Sequence, residues 1–147
     1  MRAPTSAASV RRVTRYVIDP PTLLRLVGDD VPVNPAHQLV APSGIRSTAL
    51  CLLLQAVRRG ELTEESALQH HERLTALKMR LLNDRVSRRT AWKIARDQGW
   101  ETTYDAEYLA VTELQADALV TVDAALSAKA DGIVPLADMT ALTNGQR

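Results

Sequence analysis

The chain has no phenylalanine, one cysteine and only five aromatic residues, two tryptophans and three tyrosines, in 147 positions. Each shortage removes a class of explanation. Without phenylalanine the core must be assembled from Leu, Val, Ile and Ala, and so few rings argue against an aromatic platform that stacks single-stranded bases. A lone cysteine, Cys51, forms no internal disulfide; inside an apolar helical run it reads as a small packed hydrophobe rather than a nucleophile. The longest apolar run, ALCLLLQAV, falls well short of the roughly 20 residues that span a bilayer, and the arginine-bearing start of the chain has no apolar signal core. Those features read as a cytoplasmic protein with no membrane partner. Net charge is nearly absent too, at +1.

What is present is the material of one α/β domain. With 46% hydrophobic residues the chain can bury a real core. Residues 1–13 carry small, polar and basic side chains without a period and read as a flexible arm, residues 14–137 as the folded domain, and residues 138–147 as a C-terminal turn and tail. TRYVI is a β-branched and aromatic strand ending at Asp19, and Pro20 suits the first position of a helix. A loop broken by Gly28, Pro32 and Pro35 leads to a second strand, QLVA. From Ser43 a long helix runs to Gly60, apolar nearly all round in its middle and so expected to be well buried. Thr63 can cap a second helix, making a helical hairpin. KMRLLND reads as a weaker strand, after which Ser87 can cap the helix RRTAWKIARDQG, stopped by Gly99. A helix carrying Asp105 follows, then ALVTV, a run without alternation expected to be a central strand buried on both faces. A short helix and a final strand, IVPLA, complete the series. Helices between strands give crossovers, hence a mainly parallel sheet of about four or five strands covered on both faces.

Three aspartates fall at equivalent junctions of this pattern. Asp19 ends RYVID, Asp123 ends ALVTVD, and Asp105 opens the helix YDAEYLAVTELQA. In an open parallel sheet the carboxyl ends of strands and the starts of the following helices share the edge where ligands collect. Each aspartate also reads as a helix cap or a first-turn acid favoured by the helix dipole. Brought together, they would repel unless a cation lay between them, and hard oxygen donors suit Mg²⁺ or Mn²⁺.

The ordered set of VID, LVAP opening a long helix, YDAEYLA, and QADALVTVD resembles a PIN domain, from about Thr14 to Leu136. The resemblance implies a three-layer α/β/α sandwich and a Mg²⁺- or Mn²⁺-dependent endoribonuclease. It assigns Asp19, Asp105 and Asp123 as metal-binding acids and Thr121 as the hydroxyl before the last of them. Small PIN domains of this size are most often the toxin halves of toxin and antitoxin pairs of the VapC type, so RNA, an antitoxin protein and a second copy of the chain are the implied partners. One departure stands out. The family's glutamate, about two turns into the helix after LVAP, has no counterpart in SGIRSTAL: Thr48 stands closest to its place, and Arg46 would point toward the carboxylates if it shared that face. Asp84, at the end of KMRLLND, is a possible additional acid that also reads as a turn or cap residue.

Charge is uneven along the chain. From Lys78 to Arg96 seven basic residues stand against the single acid Asp84. Arg85, Arg88, Arg89, Lys93 and Arg96 follow spacings of three and four and form a helical stripe suited to RNA phosphates, while Trp92 reads as core rather than as a base platform. The pair His70 and His71 reads as surface or partly packed, not as a metal site. Two other functions fit parts of this pattern: a degenerate PIN domain serving as a non-catalytic RNA- or protein-binding module, and a flavodoxin-like scaffold whose aspartates only cap helices.

Overall fold

The computed structural model describes residues 13–144. Apart from Val13, the expected N-terminal arm lies outside the described residues, as do the last three residues of the expected tail. Five strands, β1 (Thr14–Ile18), β2 (His37–Pro42), β3 (Arg80–Leu82), β4 (Ala118–Val120) and β5 (Leu136–Ala137), form one sheet in the order β3-β2-β1-β4-β5. Every pairing is parallel. Seven helices are described: α1 (Pro20–Gly28), α2 (Ile45–Arg58), α3 (Glu64–Ala76), α4 (Arg85–Gln98), α5 (Tyr104–Gln115), α6 (Ala124–Ala130) and α7 (Thr140–Thr143). The chain is an α/β fold in which α1, α2 and α3 pack together and α4 packs on α5, so the sheet is enclosed by helices. That enclosure explains the unbroken apolar runs in β2 and β4.

Local chemistry accounts for several helix ends. Pro20 opens α1, where its missing N–H costs nothing. The Thr63 side chain accepts the Ser66 N–H at 3.0 Å and starts α3. Gly99, at φ 76°, takes the left-handed turn that closes α4. Asp84, rather than Ser87, caps α4: its carboxylate accepts the Ser87 N–H at 3.1 Å and the Ser87 hydroxyl at 2.7 Å.

Two expectations are corrected by burial. The middle of α2 is not buried all round: Ile45, Ala49 and Leu53 are, but Leu54 is 57% exposed and Leu50 and Cys51 are exposed as well. An apolar sequence does not reveal how much of a helix's circumference finds a partner. The stretch after Ala137 is not merely a turn and tail, since α7 buries Leu142 completely and the Leu142 carbonyl accepts the Asn34 N–H at 2.8 Å. Four residues are too few to show a helical period. β4 is an interior strand, paired with β1 and β5 and buried along its length, as expected, with β1 in the middle of the five.

The strand order creates one special place. After β1 the chain crosses to β2 on one side, and after β4 it crosses to β5 on the other, so the carboxyl ends of β1 and β4 flank a topological switch point. Ile18 pairs with Val120 there, and the residues that follow, Asp19 and Thr121, become neighbours by register alone.

Ala91 and Ala95 of α4 meet Ala106 and Ala110 of α5 in a small buried cluster. Side chains this short bring the two helix axes close and leave no slack. Replacing Ala106, which has no exposed surface, with leucine is expected to lower stability by about 1–3 kcal/mol in urea unfolding, because a packed contact must be forced apart.

Candidate active site

Asp19, Asp105 and Asp123 line a single cleft of about 620 Å³ together with Thr48, Glu107 and Tyr108. Asp19 follows β1, Asp123 follows β4 and Asp105 sits in the first turn of α5. The cleft therefore lies at the switch point, where two crossovers in opposite directions leave the sheet edge open. A second cavity, of about 590 Å³, opens near the amino ends of β2 and β3 beside His37 and Met79, away from these acids.

Asp19 is the anchor of the cleft. It is only 2% exposed, and although it occupies the N-cap position of α1 its side chain makes no cap hydrogen bond. Instead the Thr22 hydroxyl donates to Oδ1 and the Thr121 hydroxyl donates to Oδ2 at 2.8 Å. Neither hydroxyl has a free choice of direction. The Thr22 oxygen accepts the Val122 N–H at 3.0 Å, and the Thr121 oxygen accepts the Asp123 N–H at 3.0 Å. Each threonine relays a backbone N–H to one carboxylate oxygen, so both Asp19 oxygens are held as acceptors.

Burial nevertheless raises the Asp19 pKa above the ordinary carboxylate value; the hydroxyl bonds pull it down by less. Nearby Tyr108 reports the same field. Its phenol is pushed up mainly by burial and then by the negative charges of Asp19, Glu107 and Asp105. Four acidic or phenolic groups thus share one partly dry cleft, the electrostatic condition in which a cation is favoured.

The other acids are more open. Asp123 is exposed and accepts the Ala125 N–H at 2.9 Å, so it caps α6 while facing the cleft. Asp105 is paired with Lys129 of α6 at 2.9 Å, and the same ammonium lies 4.9 Å from the Trp100 ring. Sequence reasoning named neither Lys129 nor Glu107. Glu107 was legible in principle, as the second acid of YDAEYLA, whereas nothing local in AALSAKA ties Lys129 to a carboxylate 24 positions earlier.

The position of the expected glutamate is now defined. Thr48 reaches the cleft from α2, with Ser47 and Cys51 beside it. Cys51 lines open space and is not the packed hydrophobe expected of it. Arg46 turns away: its Nε donates to the Leu74 carbonyl at 3.2 Å and its terminal nitrogen to the Leu77 carbonyl at 2.8 Å. The arginine satisfies carbonyls at the end of α3, so it adds no cation to the acids. Asp84 is absent from the cleft lining, and its bonds to Ser87 hold its pKa below the ordinary value, as expected of a cap.

The donor chemistry can be tested against a metal ion. Among the described residues no three His, Cys, Asp or Glu side chains come together closely enough to hold one ion between them. The acids are too hard and too dispersed for a closed zinc-type cage. They fit Mg²⁺, which keeps several waters and takes one or two carboxylates plus substrate phosphate oxygens. Asp19, with Asp105 or Asp123, would hold it.

The basic stripe lies on α4, where Arg85, Arg88, Arg89, Lys93 and Arg96 are all exposed. Trp92 is not core: it is 64% exposed on the same helix. The helix buries Ser87, Ala91 and Ala95, and Trp92 follows Ala91 by a 100° turn that carries it off the buried side. His70 and His71 are partly packed.

No family model matches the chain, and no curated protein matches it. Among solved structures, the chain resembles PAE2754 from Pyrobaculum aerophilum with a TM-score of 0.68 and 24% identity, over 90% of this chain and 96% of that one. The likeness shows the fold.

Asp19 gives this site a pH signature. Its pKa is raised in the folded chain, so the native state binds that proton more tightly than the unfolded one. Its contribution to stability is full below the unfolded carboxylate range and lost as pH rises through the raised value. Asp19→Asn replaces one acceptor with a donor, so its absolute melting temperature is not the readout; its melting temperature relative to the parent is expected to rise from acid to neutral pH in EDTA, because the parent alone loses stability as Asp19 ionises. Melting curves across that range check it; a difference that stays constant with pH would contradict the burial argument.

Proposed function

We propose that the chain is a PIN-type, metal-dependent endoribonuclease that hydrolyses RNA phosphodiester bonds, the toxin half of a toxin and antitoxin pair. One observation carries the reading: carboxylates from three separate parts of the sequence line one cleft at the sheet's switch point. The motifs VID, YDAEYLA and QADALVTVD supply its family.

In this reading Asp19, with Asp105 or Asp123, would hold Mg²⁺ or Mn²⁺ while the third aspartate lines the same cleft, and a bound ion would supply an activated water and polarise the phosphoryl oxygen. Thr121 and Thr22 orient the Asp19 oxygens. Lys129 holds Asp105 until substrate or metal competes for it, and Glu107 adds a further acid to the wall. The cations of α4 bind phosphates outside the cleft. Leu50 and Leu54 on α2 and Leu68 on α3 leave apolar surface on the helical hairpin. That surface supports burial against another protein chain, either a second copy in a homodimer or the antitoxin.

The alternative, a PIN-like module without catalysis, draws on two observations: Thr48 stands where an acid is expected, and Lys129 already neutralises Asp105. Both weaken the hold on a divalent ion.

The test uses purified chain, Mn²⁺ or Mg²⁺, and a labelled single-stranded RNA. Metal-dependent cleavage is expected, lost in Asp19→Asn and in Asp123→Asn, and unchanged in Asp84→Asn. Thr121→Val is expected to lower activity or metal affinity about 10- to 100-fold, the usual effect of removing a group that orients a metal ligand. Thr48→Glu is expected to tighten metal binding, read as a larger Mn²⁺-induced rise in melting temperature. A parent chain that neither cuts RNA nor gains stability from millimolar metal, while still binding RNA, would replace the nuclease with the module.

A further inference from the structure

We propose that the outer face of α4 is a single-stranded RNA-binding surface in which Trp92 stacks on a base while the surrounding cations hold the phosphates. It rests on the preceding reading in taking RNA as the ligand.

At 100° per residue, the exposed cations of α4 and its tryptophan fall on one arc. Arg88, Trp92 and Arg96 form one row four residues apart, and Arg85, Arg89 and Lys93 form the adjacent row. Trp92 therefore lies among five cations, on the exposed flank of the helix, 100° round from the buried Ala91. An exposed indole costs solubility and gains nothing from this fold. Among the described residues only Trp100 has a cation over its ring, so the Trp92 face is open to a partner.

Charge chooses that partner. Arg88 donates to the Asn83 carbonyl at 2.8 Å and Arg96 pairs with Asp97 at 3.0 Å, but Arg85, Arg89 and Lys93 make no ion pair among the described residues. Three unpaired cations beside a flat ring suit a strand that offers a phosphate and a π-face at each nucleotide. A second copy is disfavoured, because a two-fold contact would set this basic face against itself. Duplex RNA is disfavoured as well, since its stacked bases offer no free face to an indole.

The experiment measures binding of a short, mixed-sequence, fluorescein-labelled single-stranded RNA by anisotropy, in EDTA so that cleavage does not intervene, over a range of salt. Trp92→Ala is expected to weaken binding on the order of 10-fold without changing the salt slope, and Trp92→Phe to recover most of the loss, because stacking rather than charge is removed. Lys93→Ala is expected to lower the slope of log affinity against log salt by about 0.7, the value for one phosphate contact on a single strand. Unchanged affinity in Trp92→Ala overturns the proposal. So does equal, Trp92-dependent binding of poly-glutamate, which would mark a site for an acidic protein, and so does a dimer in sedimentation that Trp92→Ala dissociates. Cleavage by the parent chain without Trp92-dependent binding would remove this inference and leave the nuclease; Trp92-dependent binding without cleavage would do the reverse.

Discussion

The site depends on one buried carboxylate held in place by strand register. Because Ile18 pairs with Val120, the residues just beyond the ladder, Asp19 and Thr121, are set side by side across parallel strands 102 positions apart in sequence. β4 ends at Val120, which frees the next two residues from the ladder. The Val122 and Asp123 N–H groups then bind the Thr22 and Thr121 hydroxyl oxygens and commit both hydroxyl protons to Asp19. Moving β4 by a single residue would turn Thr121 to the other face of the sheet and leave a buried carboxylate oxygen without its donor. The geometry of the acids is in this sense a property of the sheet, not of the loops around it.

A carboxylate placed there works against folding. Two hydroxyl bonds do not offset its loss of water, which is why its pKa rises. Folded chains retain such groups where function uses the stored disadvantage, since a cation entering the cleft regains what burial removed. Lys129 expresses the same tension from outside. It lies against Asp105, where it lowers the repulsion among the acids and competes with any metal. On the proposed reading, an internal cation of this kind would set a threshold: a divalent ion would bind well only when something else, such as a substrate phosphate, added to its hold.

Much of the architecture was legible in the sequence because it rests on periodicity and on punctuation by Pro and Gly. Alternation of strands and helices gave the parallel sheet, and Asp19 before Pro20 marked the strand-to-helix junction that the fold places at the sheet edge. What was not legible depends on facts that only packing creates. The exposure of Leu54, Cys51 and Trp92 depends on which arc of a helix meets a neighbour, and an apolar or aromatic residue carries no record of that. Arg46 would have faced the acids had it shared the glutamate's helix face, but the end of α3 leaves carbonyls within its reach and it binds those instead. Lys129, in the last turn of α6, meets Asp105, in the first turn of α5, through tertiary packing alone. Asp84, by contrast, carried both readings in its sequence, and its bonds to Ser87 select the cap.

Separating the acids from the bases is itself required by their charges. Arginines placed inside the cleft would pair with Asp105 or Asp123, as Lys129 does, and leave neither charge free for metal or phosphate. On the proposed reading, recruitment of an anionic strand would then come from a neighbouring element, separate from the acids so as not to cancel them. The alanine contact between α4 and α5 meets that condition. It seats the basic helix directly against the one that carries Asp105 and Glu107, through side chains no larger than a methyl group. On the proposed reading, the small residues on the buried face of α4 and the basic and aromatic ones on its exposed arc are two halves of one arrangement, in which acids and bases would serve one substrate from separate elements.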